Sequence, residues 1–254
     1  MKRILFTIVL LAVLSANGNA QLWKMRRYEV AGGIGTTQFF GDIGGYSQDD
    51  NLLGLKDISL KHTRFNINGS FKYRVLSDVS VRVSMTFGSF HSTDDRGSNE
   101  NRGFESKTLF FEPALTGEYY IIKNKGERSF QLMRGSSYPF PKRFFSMLDL
   151  YVFTGFGGLA YSVKPNDRLK QYMTDSRGFT PVIPLGAGVN LTYSGVYNFG
   201  AELGGRYTFS DNIDGYTSAY SKSNDMYYLL NFNFTYKMRT NEKGRPVFRP
   251  MGRR

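Results

Sequence analysis

The chain has no cysteine. That excludes disulfides, thiolate metal sites, a thiol nucleophile and lipidation at a processed N-terminal cysteine. Only two histidines, His62 and His91, are present for acid–base work. Long apolar runs are also missing. The longest, residues 4–14, has eleven residues, well short of the roughly 20 that a membrane-spanning helix needs. Helical membrane insertion is therefore excluded. Acidic residues are in the minority, with 21 Asp and Glu against 33 Lys and Arg.

What is present is aromatic, glycine-rich and alternating. Aromatics make up 16% of the chain and glycines number 28, a composition that favours strands over helices. Residues 227–237 place Tyr228, Leu230, Phe232, Phe234 and Tyr236 on one face of a strand. Asn231, Asn233, Thr235 and Lys237 take the other face. Residues 65–75 set Phe65, Ile67, Phe71, Tyr73 and Val75 against Asn66, Asn68, Ser70, Lys72 and Arg74. In 79–87, Val79, Val81, Val83, Met85 and Phe87 oppose Ser80, Arg82, Ser84 and Thr86. Such strands, apolar outside and polar inside, belong to transmembrane β-barrels.

The first twenty residues read as a secretory signal peptide: Lys2 and Arg3, the apolar run, then a small-residue segment ending at Ala20. The mature barrel domain is expected at 21–238. Alternation and turn signals predict strands at 28–40, 62–76, 79–91, 106–122, 147–162, 179–193, 196–209 and 224–238. That makes an all-β, eight-stranded antiparallel transmembrane barrel of outer-membrane type. Its connections alternate in length. Those at 41–61, 92–105, 163–178 and 210–223 are long and polar; those at 77–78 and 194–195 are tight; 123–146 is an oversized insertion. Short turns and both termini face the periplasm in barrels of this kind. The remaining 239–254 form a basic periplasmic tail. Aromatics near the strand ends suggest two interfacial girdles, Tyr28, Tyr73, Tyr119, Tyr193, Tyr197 and Tyr236 at one rim and Phe39, Phe65, Phe87, Phe90, Phe179, Phe209 and Tyr227 at the other. A soluble barrel or sandwich would have shorter strands and no such girdles.

An eight-stranded barrel is just wide enough for side chains to fill its interior. Glu29, Lys72, Arg74, Arg82, Glu112, Glu118, Glu202, Arg206 and Lys237 fall on the polar phase of their strands. A cation facing lipid at mid-membrane costs about 2–4 kcal/mol, so this phase is expected to face the lumen and plug it with a structural salt-bridge network. Charge also separates by end. The N-terminal stretch carries Lys24, Arg26 and Arg27. The insertion carries Lys123, Lys125, Arg128, Arg134, Lys142 and Arg143 against Glu127. The tail carries Arg239, Lys243, Arg245, Arg249, Arg253 and Arg254 against Glu242. Those segments hold +3, +5 and +5, whereas the outer loops sum to −3. The basic side is read as an electrostatic dock for an acidic periplasmic partner, with anionic lipid headgroups as the competing ligand. Nucleic acid is excluded by compartment. No cofactor or small-molecule substrate is indicated: glycines such as Gly33, Gly35, Gly155, Gly157, Gly186 and Gly188 lack the strand-turn-helix context of a phosphate loop.

Four segments in order carry a resemblance. Residues 29–35 (EVAGGIG) lead to 39–42 (FFGD); then come 151–157 (YVFTGFG), 181–188 (PVIPLGAG) and 200–216 (GAELGGRYTFSDNIDGY). Together they resemble the PorG-like outer-membrane barrel family of the type IX secretion system, over about residues 28–237. The resemblance implies a non-enzymatic component of protein export and gliding machinery, associated with a periplasmic ring of PorK- and PorN-like proteins. Two alternatives stand beside it. A surface adhesin would use the outer loops, with Tyr216 and Tyr220 as candidate contacts. A lipid-modifying barrel would draw on His91, Ser92 and Asp94, but adjacent strand positions point to opposite sides, separating His91 from Ser92.

Overall fold

The computed structural model describes residues 26–44, 61–95, 100–124, 128–134, 139–173, 175–217, 224–241 and 245–247. The signal segment expected at 1–20 lies outside them, as does most of the first outer loop. Eight long strands follow one another: β1 (Tyr28–Phe40), β2 (Arg64–Arg74), β3 (Val79–Thr93), β4 (Glu105–Ile122), β5 (Leu148–Pro165), β6 (Arg177–Thr192), β7 (Tyr197–Thr208) and β8 (Met226–Thr240). Each pairs antiparallel with the next. β8 returns to β1 in register from Tyr28↔Met238 to Phe40↔Met226, which closes the barrel. Closure matters because a sheet edge in lipid would leave backbone N–H and C=O groups unsatisfied.

Side chains alternate as the period-two pattern requires. β2 turns Asn66, Lys72 and Arg74 inward and leaves Phe65 and Ile67 on the outside. β4 buries Glu112, Thr116 and Glu118 and exposes Leu109, Phe111, Leu115 and Tyr119. The outer wall is thus the apolar face, with Phe65 80% and Phe156 75% exposed. That is the inverse of a soluble barrel, and it is the wall a lipid bilayer demands.

The interior has two storeys. Toward the tight turns it is charged. Toward the long loops it becomes an apolar plug of Phe90, Phe110, Leu159, Tyr161, Val163, Val182, Ile213, Tyr227 and Leu229, with Phe39 and Met173 packed against it. Phe90 and Phe110 stack with ring centroids 4.3 Å apart, and Tyr227 tilts against Phe90 at 4.8 Å. Here the expected outer girdle needs correction. Phe39, Phe90 and Tyr227 do not sit at a lipid interface, because each occupies the inward phase of its strand. Their strand-end location alone did not establish which way they face.

Glycines beneath large rings explain how the lower interior fits. A Cβ on Gly186 or Gly204 would meet the Phe153 ring at 2.6 and 2.7 Å, and one on Gly188 would meet Tyr151 at 2.4 Å. Bare backbone on β6 and β7 is what lets the two rings of β5 lie across the lumen.

The antiparallel order collects one set of connections at each end. At the turn end, Val75 and Leu76 N–H both donate to Val79 O, and Tyr193 and Ser194 N–H both donate to Tyr197 O, closing the two tight turns. The same end holds the fourth connection, with two short helices, α1 (Phe130–Met133) and α2 (Phe140–Phe145). It also holds a two-residue strand, β9 (Pro246–Val247), which extends β8 through Arg239↔Val247 and Thr240↔Pro246. The tail therefore begins as a hairpin rather than a featureless basic stretch. Asn241 fixes its ends, its N–H donating to Arg245 O at 2.9 Å and its Oδ1 accepting from Arg245 N–H at 2.8 Å.

Candidate functional site

All nine charged residues expected in the lumen lie buried inside it. Cross-strand register makes the first contacts: Glu29 is opposite Lys72 on β2 and opposite Lys237 on β8. Arg74 Nη2 reaches Glu29 Oε1 at 2.7 Å, and Lys72 Nζ reaches Glu118 Oε2 at 2.7 Å. Arg82 then bridges the lumen. Its Nε lies 3.2 Å from Glu118 Oε1, its Nη atoms engage both oxygens of Glu202, and its guanidinium rests 5.0 Å from the Phe153 ring centroid. Tyr151 and Tyr120 donate to Glu202 and Glu118 at 2.9 and 3.2 Å. Nearer the apolar plug, Glu112 takes Arg206 Nε at 3.1 Å and the Tyr227 hydroxyl at 2.7 Å. Carboxylates at this depth are partnered by cations and phenols together. Chemically this is a crosslink through the barrel axis.

Sequence reasoning omitted one member. Asp149 is buried on the inward phase of β5, where it accepts from Asn124 N–H at 2.7 Å and pairs with Lys123 Nζ at 3.4 Å. β5 is apolar on both faces through much of its length, so alternation gave no cue. The parity shared with Tyr151 and Phe153 was the available signal.

The same pair corrects the proposed dock. Lys123 turns back into the barrel mouth, 3.6 Å from the Tyr120 ring centroid, with 9% of its side chain exposed. Burial and the neighbouring Arg74 guanidinium hold its pKa down, to about 8, against the pull of Asp149. It cannot serve as a surface contact. Arg128, Arg134, Lys142, Arg239 and Arg245 are exposed at the turn end. None of the five takes an ion pair with another described residue. Lys125, Lys243 and Arg249 lie outside the described residues, and the Arg143 side chain is not described.

The loop end forms a cap. Ile43, Phe104 and Leu169, from three different connections, pack into a second buried cluster with Tyr216 from a fourth. Phe104 and Tyr216 meet edge-on with ring centroids 5.2 Å apart, and the Arg102 guanidinium lies against both, 4.7 and 4.6 Å from their centroids, and pairs with buried Asp94 at 2.8 Å. Positive φ at Gly44 and Gly103, +79° and +65°, gives the chain the sharp turns that bring these loops together. Tyr216, expected as an outer contact, is thus committed to internal packing; Tyr220 lies outside the described residues.

Beneath the cap two carboxylates converge on Gly41. A Cβ there would lie 2.6 Å from Asp225 Oδ1 and 2.7 Å from Asp214 Oδ2. Asp214 accepts the Ile43 and Tyr216 N–H groups and Asp225 accepts Ile213 N–H. Burial raises both carboxyls, Asp214 to about 7, with Asp42 and Asp211 adding to the rise. A carboxyl raised on folding contributes stability that is complete below its unfolded pKa of about 4 and is lost as pH climbs through its folded value. The cap should therefore loosen between about pH 4 and pH 7 and beyond. Hydrogen exchange at the Ile43, Ile213 and Tyr216 amides, corrected for intrinsic rates, checks this, and Asp225→Asn should flatten the trend.

His91 lies on the outward phase and Ser92 on the inward one. His91 Nε2 faces Glu105 Oε1 at 3.9 Å, and its Nδ1 has no hydrogen-bond partner among the described residues. No nucleophile–base pair is assembled there.

No family model and no curated protein matches the sequence. Among solved structures, the chain is similar to the N-terminal β-barrel domain of Pseudomonas aeruginosa OprF, with 12% identity, a TM-score of 0.45, and 83% of this chain and 97% of that one covered. Neisserial surface protein A shares 12% identity over 83% and 96% of the two chains at a TM-score of 0.46. Ail of Yersinia pestis, in complex with a heparin analogue, shares 11% over 83% and 97% at 0.44. Likeness of this degree ties the chain to none of them in function.

Proposed function

We propose that this protein is an integral outer-membrane barrel whose basic turn end faces the periplasm and there anchors or orients the ring of a type IX protein secretion machinery. The observation that carries the reading is the set of five exposed cations at one end, Arg128, Arg134, Lys142, Arg239 and Arg245, which take no ion pair with a described residue. Acids at the opposite end are spent differently: Asp94, Asp214 and Asp225 are buried and hold the cap together. Charges buried in the lumen compensate one another, so the unspent positive potential is concentrated where an acidic partner would meet it. The four family-like segments supply the class of partner, a ring of PorK- and PorN-like proteins. The barrel's part is non-enzymatic: a crosslinked cylinder in lipid, holding a charged platform at fixed height.

A tagged copy purified from outer membranes in mild detergent should bring ring proteins with it, and a salt wash should remove them. Reversing the five exposed cations to glutamate should abolish that recovery while the barrel still folds, as seen from its heat-modifiable migration on gels. Undiminished recovery from a folded five-fold variant would refute the dock.

A further inference from the structure

The fourth connection has an apolar side that the barrel does not cover. Phe130, Leu132 and Phe145 are 41%, 79% and 68% exposed. Yet the segment is fastened to the wall. Gln131 N–H donates to Tyr193 O at 3.2 Å, which ties α1 to the β6–β7 turn, and Thr192 N–H donates to Met147 O at 3.1 Å, which carries the β5–β6 pairing to within two residues of the end of α2. The Phe130 ring stacks on Tyr193 with centroids 6.0 Å apart and planes 14° off parallel. Tyr193 meets Phe199 edge-on at 5.7 Å, and Phe199 lies 5.4 Å from Phe234. Phe199 and Phe234 face outward, in the apolar wall. An unbroken strip of aromatic rings therefore leads from the lipid-facing surface onto the insertion.

From this continuity we infer that α1 and the end of α2 are seated in the leaflet at the turn end, with Phe130, Leu132 and Phe145 at the boundary of headgroups and acyl chains. On the orientation proposed above, that is the phospholipid leaflet facing the periplasm. Amphipathic segments at an interface bury their apolar side chains to this depth and leave the polar side facing water. The described parts of the insertion suit that site: 128–134 and 139–147 contain no acidic residue that a phosphate would repel. The seat would hold the insertion flat against the membrane and fix the direction in which its remaining surface faces.

Purified full-chain protein in phospholipid vesicles tests this without any ring protein, so its outcome is separate from that of the partner dock. The single native tryptophan is replaced by Trp23→Phe. Into that background go, one at a time, Phe130→Trp, Leu132→Trp and Phe145→Trp, with Phe199→Trp as the wall control and Val247→Trp as the tail control. Phospholipid brominated on its acyl chains should quench the three insertion positions nearly as strongly as position 199, with blue-shifted emission, and should leave position 247 unquenched. If Leu132→Trp and Phe145→Trp emit as in water and yield to acrylamide rather than to brominated lipid, the seat does not exist. Using two positions outside the Phe130–Tyr193 stack keeps the test valid if Phe130→Trp disturbs that contact.

Discussion

Arg82→Met should lower the unfolding free energy of the barrel by about 3–5 kcal/mol, the usual result of removing one partner from a buried ion pair. Among the described residues Arg82 alone makes ion pairs with both Glu118 on β4 and Glu202 on β7, and its Nε also donates to Thr116 Oγ1 at 3.2 Å. Without it, Glu118 keeps Lys72 at 2.7 Å and Glu202 keeps the Tyr151 hydroxyl at 2.9 Å. A phenol does not neutralise a carboxylate. Adding Glu202→Gln should recover most of the loss, because replacing both members of a buried pair by uncharged groups is close to neutral. Urea unfolding of the protein in phospholipid vesicles measures both. A single variant as stable as the parent would show that the lumen neutralises its glutamates by another route.

The second large effect is expected at the opposite end and should be local. Asp94 is buried and accepts four hydrogen bonds: Gly44 N–H at 2.9 Å, Phe104 N–H at 3.0 Å, and Arg102 Nε and Nη2 at 2.8 and 2.9 Å. Asp94→Ala strands two backbone donors and leaves the Arg102 guanidinium, packed against two rings, without its counter-ion. Each unsatisfied buried group costs about 1–3 kcal/mol. A loss of about 3 kcal/mol in the cap raises its open population about a hundredfold. Trypsin cleavage after Arg102, followed by mass spectrometry, should accelerate by that factor when the cap opens and recloses fast relative to cleavage. Barrel unfolding in urea should hardly change, since the strands below keep their pairing. Unaltered cleavage at Arg102 would mean that Ile43, Phe104, Leu169 and Tyr216 hold the cap by packing alone.

Much of the architecture can be read from alternation, and the misreadings have a common origin. In β2, β3 and β8 the phase is unambiguous, because a polar or charged side chain stands at nearly every second position. β5 mixes Leu150, Tyr151, Val152 and Phe153 on both faces, so Asp149 went unassigned to the lumen. Aromatics at strand ends misled for a related reason. Phe39, Phe90 and Tyr227 look like girdle residues by position, but their parity sends them into the plug. Lys123 misled by lying one residue past the last strand residue of β4, where no period applies. Its direction is decided by Asp149, twenty-six residues later. The cap was hidden for the same reason. Ile43, Phe104, Leu169 and Tyr216 are isolated apolar residues in polar loops, and nothing local relates one to another.

The sequence by itself determined the phase of β2, β3 and β8, the even strand number, most of the lipid-facing surface and the separation of charge between the two ends. Each follows from a period of two or from composition, and both are local properties of a chain. Only the tertiary structure decided which buried acid meets which buried base. Arg82 and Glu202 stand 120 residues apart, and Arg206 and Glu112 stand 94 apart. Those pairings depend on the stagger with which eight strands close and on the diameter that closure imposes. Glycines under Tyr151 and Phe153 then settle how far each side chain can reach across the lumen.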